Sequence, residues 1–142
     1  MKIENFDLNE QIMIVAELSA NHGHSIDIAI DTIKAAKEAG ADAIKLQTYT
    51  ADTITINCDK EYFRLNSGTL WDGRTLYNLY EEAYTPWDWH SVLKDYANEQ
   101  GLIFFSSPFD KSAADFLAEL NVPAFKIASF ELLDLPLIEY TA

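Results

Sequence analysis

Four short apolar runs separated by amphipathic stretches constrain this chain more than any other feature. They are IMIVAEL over 12–18, AIKLQTY over 43–49, LIFFSS over 102–107 and AFKIAS over 124–129. Each is short, bounded by turn residues and rich in branched or aromatic side chains, which reads as a strand buried on both faces of a parallel sheet. The intervening segments read as helices. Ile26, Ala29, Ile30 and Ile33 recur at helical spacing behind a capping Ser25 and end at Gly40. For the next helix the sequence predicts Thr85 as N-cap, Pro86 at the first helical position and Asp88 beside the free amides. Trp89, Val92, Leu93 and Tyr96 line one face of it until Gly101. Ala113, Phe116, Leu117 and Leu120 make a third stripe, closed by Asn121 and Pro123. The last residues, LLDLPLIEYTA, read as a helix that begins without a finishing cap, so the chain reads as part of a larger fold.

Strand–helix alternation of this kind builds either a doubly wound sheet or a (β/α)8 barrel, and both place sites at the carboxyl ends of the strands. Periodicity leaves the two open. The turn after the first strand, ELSANHGHS, has a single glycine, against a dinucleotide fingerprint, and no phosphate loop of the Walker type occurs. The wide interval between the second and third strands carries an excursion over about 50–84. It leaves a carboxyl strand end and would overhang whatever lies there. Leu76, Leu79, Tyr80 and Ala83 predict a short helix within it, and CDKEYFRLNSGTLWDG reads as loop. Its aromatic residues suit a lid, and Arg64 and Arg74 are candidates to meet an anion.

Charge narrows the partners. With 23 acidic against 10 basic residues the formal charge is -13, which repels a nucleic-acid backbone or an anionic membrane. A small anion in a pocket with a few lysines remains compatible. Cys58 is the one cysteine, MKIENFDLNE lacks a secretory apolar run, and no run approaches the roughly 20 residues a bilayer needs. A cytoplasmic setting is the expectation.

The functional signal is the polar side chains late in the strands: Glu17, Lys45, Gln47, Ser106, Ser107, Lys126 and Ser129, with Glu131 just beyond. An unpaired ammonium inside an apolar strand is costly to bury, so Lys45 and Lys126 need neutralising. A bound phosphate or carboxylate would do this, with the serines as extra donors. The alternative is a structural network in which each lysine pairs with Glu17 or Glu131. Both glutamates are also candidate bases. Asn21 and His22 lie beside Glu17, but two histidines two residues apart make no metal set. His90 reads as a surface or packing histidine.

Five segments in order, IVAELSANHGHS, AIKLQTYTADTIT, GTLWDGRTLYNLYEEAYTPWDWH, IFFSSPFD and FKIASFE, resemble the sialic acid synthase family of phosphoenolpyruvate-condensing enzymes over residues 11–142. Within it the aromatic middle segment and KIASFE are most similar to the pseudaminic branch. The resemblance implies a (β/α)8 barrel followed by a small antifreeze-like domain, with 1–142 as the N-terminal half of the barrel, its first four βα units. It implies condensation of phosphoenolpyruvate with a 2,4-diacetamido-2,4,6-trideoxy hexose, releasing phosphate. It implies too a homodimer and a divalent ion, Mn2+ or Mg2+, whose protein ligands lie outside these residues, so that this chain alone is inactive. By resemblance Lys45, Ser107, Lys126 and Ser129 match residues that hold phosphoenolpyruvate and Gln47 one near the sugar. Glu17 matches a carboxylate that helps orient the sugar or metal-bound water, Glu131 matches one near the reacting carbons, and Asn21 and His22 match a family signature.

Three rival readings stay open at this point. One is a sialic or legionaminic acid synthase using another N-acetylated sugar. Another is an aldolase-type barrel forming a Schiff base at Lys45 or Lys126. The third is a sugar-binding module without chemistry.

Overall fold

A computed structural model of the chain describes all residues except Ser67, Thr69 and Leu70. The loop expected across those three positions therefore lies outside the described residues. Three parallel strands form the main sheet in the order β3 (Val15–Glu17), β4 (Ala43–Thr48) and β5 (Ile103–Pro108). Ahead of them a small antiparallel pair, β1 (Lys2–Ile3) and β2 (Phe6–Asp7), forms where no strand was expected. Its strands are two residues each, too short to carry a readable period.

The predicted helices are present. They are α1 (Ile26–Glu38), α3 (Leu76–Ala83), α4 (Trp89–Glu99), α5 (Lys111–Glu119) and α6 (Leu135–Thr141), joined by a single-turn α2 (Ala51–Ile54). Ser25 caps α1 by accepting the Ile28 amide, and Asp110 and Asp134 do the same for α5 and α6. After α5 the chain reverses through Asn121 at φ 55°, the left-handed conformation that asparagine tolerates better than most residues.

Alternation along the strands divides the sheet into two faces. Leu18, Ile44, Leu46 and Phe104 point to one side, where they pack with Ala29 and Ile33 of α1 and Leu93 and Ala97 of α4 into the main core. The register sets Glu17 opposite Lys45 opposite Phe105, and Gln47 opposite Ser107, on the other face. The polar strand residues are thus turned away from that helix-packed core.

Three sequence expectations are corrected. The first strand is Val15–Glu17 rather than 12–18, and Ile12 and Ile14 are exposed where β3 forms the sheet edge. The fourth strand does not form a ladder: 124–129 joins the sheet through one parallel bridge, Phe125 to Ser106. Pro108 supplies the reason. The next parallel rung would need an amide hydrogen at residue 108, and proline has none. Third, α4 starts at Trp89 with Asp88 at its N-cap, not at Thr85, because the Thr85 hydroxyl is drawn away to His22.

Candidate functional site at the carboxyl strand ends

Glu17 and Lys45 lie opposite each other in register, and the Glu17 carboxylate is ion-paired with the Lys45 ammonium. Only 10% of the Lys45 side chain is exposed, against 45% for Glu17. The structural partner weighed for Lys45 from sequence is therefore present, with its carboxylate half in water. Lys126 differs. It has no carboxylate within ion-pair distance among the described residues. The Phe125–Ser106 bridge, with the Lys126 amide donating to the Ser106 carbonyl at 3.1 Å, sets Lys126 level with Ser107 on the face of Lys45 and Gln47.

Ser107 is 1% exposed and its hydroxyl has no partner among the described residues. Buried hydroxyls are nearly always satisfied, and this one lies opposite Gln47 and level with Lys126. The Oε2 of Glu131 is also buried with no partner among the described residues. Its charge acts on Tyr80 of α3, whose hydroxyl is raised by burial first and by Glu131 second. Tyr80 stands edge-on to Tyr49, whose hydroxyl burial pushes up to about 12. The excursion thus reaches the strand ends through aromatic residues. Ser129 is exposed at the start of the 3-10 turn Phe130–Leu133 that carries Glu131.

The other predicted residues are spoken for. Gln47 accepts a 2.7 Å hydrogen bond from Ser19, which sits at φ 51°. Asn21 is exposed and donates to the Leu18 carbonyl. His22 is fully buried, and its Nδ1 accepts the His24 amide at 3.1 Å. Its Nε2 must then carry the proton and donate to Thr85 at 3.0 Å, while Thr85 donates onward to the Ser19 carbonyl. Burial, then His24, lowers the His22 pKa, which keeps this tautomer neutral. Ser106, expected to join Ser107 around one anion, faces the opposite way and bonds Thr48 at 2.7 Å. Arg64 is occupied by the Asp59 and Gly73 carbonyls, and Arg74 pairs with Glu82 and lies over Trp71.

Sequence reasoning named Ser106 and read His90 as a surface or packing histidine, but missed the polar network they form behind the sheet with Thr48. Thr48, Ser106 and His90 are all fully buried and joined, with Thr48 Oγ1 2.9 Å from His90 Nε2. The available signal was strand alternation, which puts Thr48 with Leu46 and Ser106 with Phe104.

Among the described residues, no group of three or more His, Cys, Asp or Glu is placed to hold a metal ion, and no helix is long and apolar enough to cross a membrane.

Parallel strands backed by helices, with ammonium groups, a buried hydroxyl and carboxylates gathered at the carboxyl ends, define a βα-repeat domain with its polar side chains where such folds carry their sites. The chain belongs to the NeuB family, whose model matches residues 32–142. It is 53% identical over 134 residues to a pseudaminic acid synthase of Campylobacter jejuni, covering 94% of this chain and 39% of that protein. It is 50% identical over 129 residues to the pseudaminic acid synthase of Helicobacter pylori, covering 91% of this chain and 38% of that one. Among solved structures, an N-acetylneuraminic acid synthetase from Leptospira borgpetersenii in complex with citrate superposes with a TM-score of 0.79 at 28% identity. That match covers 99% of this chain and 45% of that one. The chain spans about two fifths of the length of the curated relatives it matches.

Proposed function

We propose that this chain is the strand-end half-site of a pseudaminic acid synthase, which condenses phosphoenolpyruvate with a 2,4-diacetamido-2,4,6-trideoxy hexose and releases phosphate. Identity of 50–53% to the two pseudaminic acid synthases supports the sugar branch. The observation that carries the chemistry is the buried Ser107 hydroxyl level with Lys126, neither of which has a side-chain partner among the described residues. A phosphate or carboxylate oxygen between them satisfies both at once.

In this reading Lys126 and Ser107 hold the anionic donor, and Lys45 adds positive charge that Glu17, half in water, only partly offsets. The nucleophilic carbon of the enol phosphate attacks the open-chain sugar aldehyde. Water adds to the cationic carbon left behind, and the tetrahedral intermediate expels phosphate with its bridging oxygen. In the same reading Glu131, one of whose carboxylate oxygens is buried without a partner among the described residues, takes the proton of the attacking water, and Gln47, Ser129 and Asn21 contact the substrates. His22 supports the turn that presents Ser19 to Gln47. The whole protein is proposed to be a (β/α)8 barrel and a cytoplasmic homodimer. Mn2+ or Mg2+ does not fit the described residues, and its ligands are proposed to lie elsewhere in the protein.

The test is phosphate release by the complete protein from phosphoenolpyruvate, dependent on the diacetamido sugar. Equal turnover with N-acetylmannosamine would move the assignment to the sialic acid branch, toward which the Leptospira structure points. A borohydride-stable pyruvate adduct on Lys45 or Lys126 would replace it with Schiff-base chemistry.

A further inference from the structure

A buried polar chain runs behind the sheet and ends on the rung that holds Lys126. Its direction follows from counting protons. His90 Nδ1 lies 3.2 Å from the Pro86 carbonyl, which can only accept, so Nδ1 carries the hydrogen and Nε2 is bare. Nε2 therefore accepts the Thr48 hydroxyl at 2.9 Å. With its own proton used, Thr48 accepts from Ser106 at 2.7 Å. The carbonyl of the same Ser106 takes the Lys126 amide, and Pro108 prevents a second rung beyond it.

An apolar trio would fill this space without desolvating three polar groups; what the polar trio adds is orientation. We propose that His90 is a positioning residue for Lys126, acting through Thr48 and Ser106 from the helix side of the sheet. The inference rests on the synthase reading for what Lys126 does, but not for how it is held. His90 suits the task because burial pushes its pKa down to about 4, so the ring remains an acceptor at neutral pH. Phe116 stands edge-on at 5.4 Å, while the titratable groups that act on His90 are Asp88, which raises its pKa, and His22, which lowers it. Trp87 adds a second clamp on the same approach to α4, donating to the Tyr49 carbonyl at 3.2 Å.

The experiment uses Thr48→Val, His90→Asn and His90→Gln in the complete protein. Asparagine is too short to reach Thr48, whereas the glutamine oxygen can take the place of Nε2. Amide hydrogen exchange at Lys126 is measured alongside the KM values for phosphoenolpyruvate and sugar. In T48V and H90N, exchange at Lys126 should rise at least about tenfold with α1 and α5 unchanged, a local opening rather than a global one. The phosphoenolpyruvate KM should rise about fivefold with the sugar KM within about twofold, and H90Q should restore both. Unchanged exchange, a uniform rise across the fold, or H90Q no better than H90N overturns the positioning role whatever the turnover. If the unmodified protein does not consume phosphoenolpyruvate, the synthase reading fails, and local exchange still decides whether His90 holds Lys126.

Discussion

Glu17 and Lys45 face each other across two adjacent parallel strands, and the pair is unequal: the ammonium is buried and the carboxylate is half in water. Removing one partner is therefore not equivalent to removing the other. Glu17→Gln leaves a buried cation uncompensated and should cost about 1–2 kcal/mol, less than for a fully buried pair because water reaches the carboxylate. Lys45→Met leaves a carboxylate that can rotate into solvent and should cost less. Urea unfolding of both variants checks the order; equal losses would mean the pair is not buried as described.

Ser107→Ala should separate stability from function. Deleting a buried hydroxyl that has no partner removes a desolvated group, so the unfolding free energy should hold or rise by up to ~1 kcal/mol. Phosphoenolpyruvate affinity should fall at the same time. A variant that loses stability would show that the hydroxyl is satisfied in the folded protein.

Lys126→Ala tests what neutralises the second lysine. No carboxylate pairs with it among the described residues, so its loss should leave the thermal midpoint within about 2 °C. The KM for phosphoenolpyruvate should rise at least about tenfold, the effect of losing one charge-assisted contact. Unchanged KM would assign the lysine to the surface.

Acid sensitivity has a definite sign. His90 has a folded pKa lowered to about 4 from 6.5, so the unfolded chain binds the extra proton first as pH falls. Its contribution is fully present above pH 6.5 and is lost toward pH 4, on the order of 3 kcal/mol in total. His22, lowered in the same direction, adds to the slope. Chemical denaturation between pH 4 and 7 should show this rise, and His90→Gln should flatten most of it.

Much of the fold was legible because the helices carry their signals locally. Ser25 and Gly40 bracket α1 in sequence as they do in space, and the apolar runs mark β4 and β5 almost to the residue. The misses share a different cause. Thr85 has the sequence appearance of a cap, but its hydroxyl bonds a histidine 63 residues away. AFKIAS has the composition of a strand, yet pairing needs a donor on the neighbouring strand, and Pro108 removes it. The residues of the site were recognisable as polar interruptions of apolar runs. Which lysine had a carboxylate partner, and which serine faced which way, depended on register, a property of two strands together.

That register makes Ser106 and Ser107 opposites: one hydroxyl belongs to the helix-packed side of the sheet and the next to the side of Lys45 and Gln47. Deleting or inserting a single residue in β5 would exchange their duties, turning the tethering hydroxyl toward the mouth and the waiting one into the helices. Length drift in this family should accordingly be confined to the excursion between β4 and α4, while the six-residue β5 should keep its number of positions.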